Sequence, residues 1–347
     1  MRTPSSRGFA ASGPRSRRLR LIVSAAAAAA IAATSLTACG GESKTSSGSV
    51  LHVGQLGATK VNEALLKASG QDQGMPYSID WSLFPAGGPA FLEAVPSGSV
   101  DIASMADTPP IFGQVAGTKT KVVAVSTSTP ADQSIVQILV RKGSSIKSVS
   151  ELKGKKVATL QATIMQYTLL KALQKAGLSY DDVTPVSLAP PDAVTAFQKG
   201  QVDAITALDP QLAQLKAAGA EEIGDGVGVT AGYMFDVAAQ AALDDPAKSK
   251  DIADFVQRLA RAQAWGESHE AQWLPTYAKV TGLPQDIAKA VLDRQHTQYL
   301  PIDATVIKNQ QEQADAYTQL GLIKKKLDVS GEFDNRFNDI LTKAASS

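Results

Sequence analysis

The sequence predicts an α/β fold of two similar lobes with a ligand cleft between them, and three observations carry that reading. From residue 50 to 217, short apolar runs alternate with stretches of helical spacing, the pattern of strand–helix–strand units in a parallel sheet. Glu93–Ser104 (E-A-V-P-S-G-S-V-D-I-A-S) is echoed by Thr195–Thr206 (T-A-F-Q-K-G-Q-V-D-A-I-T). Each has a helix end, a Gly, one residue, then Val-Asp and a small apolar strand. After each copy a helix starts at an Asp near a Pro, Asp107-Thr108-Pro109 and Asp209-Pro210. In open α/β sheets ligands settle outside the carboxyl ends of the strands, so equivalent helix starts suit a shared cleft.

The elements follow in order. Val50–Val53 reads as a strand, with Gln55-Leu56-Gly57-Ala58-Thr59 at its end, and residues 61–69 as a helix with Val61, Leu65 and Ala68 on one face. Tyr77, Ile79, Trp81 and Leu83 alternate onto one face of a strand. Val100–Ala103, Lys121–Val125 and Ser134–Val140 are further strands. Ser148 and Glu151 have the spacing of a capping box. Lys155–Thr159 is a strand, Thr163–Ala176 a helix stopped by Gly177, Val183–Leu188 a strand, Pro191–Lys199 a helix and Val202–Thr206 a strand. Asp209-Pro210 then opens a helix reaching Ala217. Residues 232–243 read as a returning strand that enters helical sequence. Beyond Pro246 the chain is mostly helical, over 284–298 and 302–320 among others, and Lys324-Lys325-Lys326 reads as a solvated turn.

The most informative stretch is Phe84–Gly113. Gly87 and Gly88 lead into Pro89, and Asp107 and Thr108 into Pro109; Pro suits a first helical turn, and Asp or Thr before it is an N-cap signal. Helix N-termini offer unpaired N–H groups and a positive dipole end, so two of them pointing the same way make an anion-binding mouth. Ordinary caps in an α/β domain are the other reading of the same residues.

Six Arg and no acidic residue fall in residues 1–38, against 34 basic and 33 acidic residues in the whole chain. The body beyond is therefore mildly acidic, which argues against a nucleic-acid footprint. Arg15, Arg17, Arg18 and Arg20 precede an Ala-rich apolar run, 21–36, too short to span a membrane as a typical helix. Leu36-Thr37-Ala38-Cys39 resembles the lipobox of bacterial lipoproteins, so residues 1–38 are read as a signal peptide and Cys39 as the lipidated residue. Ser16–Leu21 also resembles a twin-arginine signal, leaving twin-arginine and general export both open. Cys39 is the only cysteine, so no intramolecular disulfide forms. Residues 39–49 are Gly/Ser-rich and read as a flexible tether.

The block F-P-A-G-G-P-A-F-L-E-A-V-P-S-G-S-V-D-I-A-S-M-A-D-T-P-P-I-F resembles that of the aliphatic sulfonate-binding proteins of ABC transporters, within the sulfonate/taurine/nitrate-binding group. S-V-S-E-L-K-G-K-K-V-A, K-A-L-Q-K-A-G-L-S-Y-D-D-V, A-F-Q-K-G-Q-V-D-A and G-L-I-K-K-K-L-D-V are similar to the same group. The resemblance implies a type II periplasmic-binding-protein fold. Lobe one would be 50–138 plus 236–325 and lobe two 139–235, with crossovers near 134–140 and 233–238 and a C-terminal tail at 326–347. It implies a monomeric extracytoplasmic lipoprotein on the membrane, with no enzymatic activity and no cofactor, that gives a small sulfonate-like anion to an ABC permease. Carried over by position, Gln55, Gly57, Gly87, Gly88 and Thr108 would line the cleft from lobe one, with Asp107 as a cap. Gln161, Thr163 and Asp209 would line it from lobe two, Asp209 meeting a cationic or hydroxyl part of the ligand or only capping its helix. The chain departs from the family at cleft positions. Gln161–Gln166 stands where a K-G-S-S-A-H-type segment is frequent, Leu208-Asp209-Pro210-Gln211 where W-D-P-Y is frequent, and Leu56-Gly57-Ala58 where a basic or aromatic residue is frequent.

His52, His269 and His296 are far apart and in no metal or triad spacing, and Gly224-x-Gly226-x-Gly228 is no dinucleotide fingerprint. The rival reading is a same-fold enzyme of the pyrimidine or menaquinone biosynthesis type. An export signal and the lack of an acid–base cluster argue against it, and a membrane-coupled ligand sensor is the third reading.

Overall fold

The computed structural model describes residues 48–344 apart from 129 and 131. The signal peptide, Cys39 and nearly all of the tether lie outside the described residues. The elements are β1 (Val50–Leu56), α1 (Val61–Ala68), β2 (Ser78–Phe84), α2 (Gly88–Ala94), β3 (Ile102–Ala106), α3 (Thr108–Ala116) and β4 (Thr120–Thr127). The second group is β5 (Val136–Val140), β6 (Lys156–Thr159), α4 (Ile164–Lys175), β7 (Thr184–Ser187), α5 (Pro190–Gln198), β8 (Ala204–Leu208), α6 (Gln211–Ala217) and β9 (Glu221–Asp225). The chain then returns through β10 (Tyr233–Ala239), α7 (Gln240–Asp244), α8 (Pro246–Ser268), α9 (Glu270–Thr281), α10 (Gln285–Leu292), β11 (Gln298–Leu300), α11 (Ala304–Gln319) and α12 (Asn338–Ala344).

Two sheets result, ordered β11-β4-β10-β3-β1-β2 and β7-β6-β8-β5-β9. Within each, the parallel trio is built alike: β2 and β3 flank β1, and β7 and β8 flank β6. The internal echo has a physical basis in that trio. Asp101 accepts the His52 N–H (2.9 Å) and gives its own N–H to His52 O (2.8 Å). Asp203 does the same with Lys156, at 2.8 Å both ways. The Gly before each, Gly98 and Gly200, sits at φ 70° and 72°, the left-handed turn that ends the preceding helix. The repeated Gly-x-Val-Asp is thus the joint that locks one parallel strand onto its neighbour.

The central strands β4 and β10 are covered by helices and read as near-continuous buried runs. Their core takes Phe235, Val122, Val125 and Ile102 from the sheet and Phe91, Leu66, Phe255, Leu259 and Ile252 from α2, α1 and α8. The second sheet has a core on each face, one around Leu169 and Leu173 of α4, the other around Phe197 of α5 and Leu212 and Leu215 of α6. The C-terminal segment is no loose tail: Val329, Phe333, Phe337 and Leu341 pack into lobe one. β9 and β11 were not foreseen, being short, polar and at sheet edges. Ser148 makes no capping box. Its hydroxyl meets Ser150, Glu151 accepts from the Lys147 N–H, and the segment is a single 3₁₀ turn. The reciprocal box forms instead at Ser179 and Asp182.

The strands place the lobe crossings at 128–135 and 226–232, since all of β5 belongs to the second sheet and all of β10 to the first. The two crossings lie against each other: the Gly226 N–H donates to Ser134 Oγ at 3.0 Å. A Cβ at Gly226 would sit 2.6 Å from that oxygen, so only glycine permits the approach.

Candidate functional site

Three contacts mark where the lobes face each other. At Gly87 (φ 76°) a Cβ would lie 4.0 Å from Leu160 Cδ2, which brings the loop before α2 against the loop after β6. On one flank Tyr317 of α11 donates to Thr163 O at 3.4 Å and packs on Phe112 and Tyr167, their ring centroids 4.9 and 5.6 Å away. Ile111, Ile164 and Met165 complete that apolar seam. On the other flank Arg294, in the loop after α10, reaches Asp209 at the end of β8. The seam therefore passes the carboxyl ends of β2, β6 and β8.

The predicted residues meet there unevenly. Gln55 is buried, and its Oε1 accepts the Asn62 N–H at 2.9 Å, capping α1 in place of Lys60. Its Nε2 has no partner among the described residues. The amides of Gly57 and Gly87 are not bare: both donate to Phe84 O, at 3.0 and 2.9 Å. That shared carbonyl ties the loop after β1 to the loop after β2. Gly88 is glycine for packing, because a Cβ would lie 2.5 Å from Pro109 Cγ, so α2 rests directly on α3.

Thr108 is corrected outright. It is fully buried, and its hydroxyl accepts from Gln313 Nε2 at 2.7 Å and donates to Asp107 Oδ1 at 3.3 Å. Asp107 does not cap α3. It lies in a buried polar cluster with Gln310, Gln313 and Thr108, where loss of water pushes its carboxyl up to about 6. Pro109 and Pro110 also remove two of the first-turn N–H groups of α3, leaving that helix start a poor anion site.

The start of α4 is better equipped. No side chain caps it, so its first-turn amides keep no side-chain partner among the described residues. Ala162 just before it sits at φ 58°, a left-handed geometry costing an L-residue roughly 1–2 kcal/mol. Gln161 is exposed with its side chain unpartnered among the described residues, while Thr163 spends its hydroxyl hydrogen on Leu160 O at 2.6 Å.

Asp209 caps α6 through the Ala213 N–H (3.1 Å), and the cation it meets is the protein's own. Arg294 holds it bidentately, Nη2 at 2.6 and 2.7 Å and Nε at 3.1 Å. Sequence reasoning missed Arg294 because 85 residues separate the partners and nothing around it forms a motif. A cavity of about 350 Å³ adjoins this loop, lined by Leu65, Glu267, Glu270, Trp273, Asp293 and His296. None of the eight predicted residues lines it, and its three carboxylates disfavour an anion. Among the described residues no His/Cys/Asp/Glu group could hold a metal ion.

Two α/β lobes joined by adjacent crossings, with strand ends facing across a seam, define the type II periplasmic-binding-protein fold. A family model described as NMT1/THI5 like matches residues 77–244. An Escherichia coli (strain K12) protein named for aliphatic sulfonate binding is 38% identical over 257 residues, 72% of this chain and 77% of that one. Among solved structures, the alkanesulfonate-binding protein SsuA from Xanthomonas axonopodis pv. citri, bound to MOPS, superposes with a TM-score of 0.76 at 31% identity, covering 82% of this chain and 98% of its own. The periplasmic aliphatic sulphonate binding protein SsuA from Escherichia coli gives 0.69 at 33% identity, with 81% and 90% covered. The chain belongs to the aliphatic sulfonate-binding family, within the sulfonate/taurine/nitrate group of ABC-transporter binding proteins.

Proposed function

We propose that the protein is an extracytoplasmic solute-binding lipoprotein. It takes a small anion, an aliphatic sulfonate, between its lobes and delivers it to an ABC permease. The observation that supports this is the uncapped start of α4, which follows the loop where Leu160 meets Gly87. A sulfonate spreads one charge over three acceptor oxygens, which suits backbone amides and the positive end of a helix. Gln55 Nε2, Gln161 and the Gly88 and Ala90 amides complete the donor set, and the apolar seam takes the alkyl chain. Binding favours the closed arrangement by the free energy of these cross-lobe contacts. The lipid on Cys39 holds the protein at the outer face of the membrane; among the described residues no helix is long and apolar enough to cross it.

Calorimetric titration with C2–C6 alkanesulfonates tests the reading. Expected is saturable binding in about the micromolar range, with thermal stabilisation of about 2.7 kcal/mol at a hundredfold excess over Kd. If no sulfonate binds, the ligand class is wrong.

A further inference from the structure

One ion pair joins the lobes. Arg294, in the loop after α10 of lobe one, holds Asp209, at the end of β8 in lobe two, with Nη2 at 2.6 and 2.7 Å from the two carboxylate oxygens and Nε at 3.1 Å from Oδ2. Every other ion pair among the described residues lies within a single lobe. The contact is two-pronged, and its side chains keep 25% and 21% of their exposure, the geometry in which an ion pair exceeds the near-zero worth of an exposed one.

Both ends are held in place by other bonds. Asp209 Oδ1 also accepts the Ala213 N–H at 3.1 Å in the first turn of α6, and Ala213 is buried in the lobe-one core with Ala288 and Val291 of α10. Arg294 continues the last turn of α10, its N–H donating to Val291 O at 3.1 Å, where the negative end of the helix dipole favours a cation. Beyond it the His296 N–H donates to Ser128 O at 2.9 Å, in the first crossing, and the Thr297 N–H to Glu267. A loop pinned on both sides loses little further freedom when its guanidinium engages. Both partners belong to the chain, so the contact asks nothing of a bound solute.

We propose that Arg294 and Asp209 form a ligand-independent clasp, which holds the lobes closed with or without a solute and governs how fast a solute exchanges. A contact worth the same in the unliganded and liganded protein shifts no binding equilibrium. It slows entry and exit together and leaves affinity nearly unchanged. A contact that formed only around a solute would behave otherwise, its loss speeding exit alone and weakening binding. The inference needs two lobes and no particular ligand, so it stands or falls apart from the sulfonate reading.

Small-angle X-ray scattering of the unliganded protein is the first test. Arg294→Gln and Asp209→Asn are each expected to raise the radius of gyration above that of the wild type; Asn keeps an acceptor for the Ala213 N–H, so α6 stays capped. The double variant expands no further than either single one, the mark of one shared contact. Lys289→Ala removes two ion pairs lying within lobe one and leaves the radius unchanged. Stopped-flow binding of ethanesulfonate is the second test. Arg294→Gln is expected to speed association and dissociation alike, by about fivefold or more, with Kd held within about twofold. A wild-type radius in Arg294→Gln overturns the proposal, as does an equal expansion in Lys289→Ala, or faster dissociation with association unchanged. If ethanesulfonate does not bind, the sulfonate reading falls, and the scattering comparison still decides this one.

Discussion

Glu332 shows what a single buried residue does in this protein. It is 5% exposed, with one oxygen receiving Gln310 Nε2 at 3.4 Å and the other unpartnered, and burial pushes its carboxyl up to about 8. Asp107 and Asp236 are raised to about 6, also by burial. An acid whose folded pKa is raised holds its proton longer when folded. Its contribution to stability is full below the unfolded pKa, near 4, and is lost as pH rises through the folded value. The melting temperature is therefore expected to fall from about pH 5 to pH 9, and Glu332→Gln to flatten the upper part of that fall. A scan calorimetry series that shows Glu332→Gln tracking the wild type above about pH 6 refutes this. None of it was legible in the sequence, where Asp107-Thr108 reads as a cap. Gln310 and Gln313 lie about 200 positions away on α11, and their arrival converts a surface signal into a buried cluster. Gly88 carries a similar lesson: a glycine before Pro reads as ligand approach, yet the contact it permits is with Pro109.

The strand-locking Asp operates at the level of elements. Asp101 and Asp203 make the same reciprocal pair of bonds, but only Asp101 is buried, and only it carries a lysine, Lys248 Nζ at 2.7 and 2.9 Å. Removing a partner from a buried ion pair costs about 3–5 kcal/mol, whereas losing a hydrogen bond at a less buried site costs about 1 kcal/mol. Asp101→Ala should lower urea stability several-fold more than Asp203→Ala; equal losses would show that the lysine adds nothing. The alternation of strands and helices was readable through α6, because local periodicity and the Gly-x-Val-Asp joint both survive in the fold. The pair β4 and β10 was readable as two strands, from their continuous apolar runs. β9 and β11 were not, since an edge strand needs only a neighbour's backbone and leaves little trace in side chains. The four-residue spacing at Ser148–Glu151 misled because the helix it would start is replaced by one turn before Lys153.

At the scale of the molecule, the echo pointed to two similar strand–helix units, and the fold has two sheets; the crossings that the resemblance implied near 134–140 and 233–238 fall instead before those strands, because β5 and β10 each lie wholly in one sheet. Of the site, the sequence offered candidates only: Gln55, Gly57, Gly87, Gly88, Gln161, Thr163 and Asp209 keep that standing, while Thr108 retreats into the core and Arg294, the partner of Asp209, arrives from beyond the reach of any local pattern. The crossings carry one more implication. β5 and β9 are hydrogen-bonded neighbours where the second lobe begins and ends, with Gln137 opposite Asp225. β4 and β10 are likewise neighbours where the first lobe is interrupted, with Thr127 opposite Tyr233. Lobe two is thus a guest spliced into a hairpin. Replacing residues 128–232 by an Asn-Gly turn should leave a folded host that retains its near-ultraviolet signal and binds no sulfonate; an unfolded product would mean the host leans on its guest. The same geometry makes the guest transplantable. A foreign domain whose ends lie equally close could be grafted at this point, and the protein's specificity could be exchanged without disturbing the host lobe.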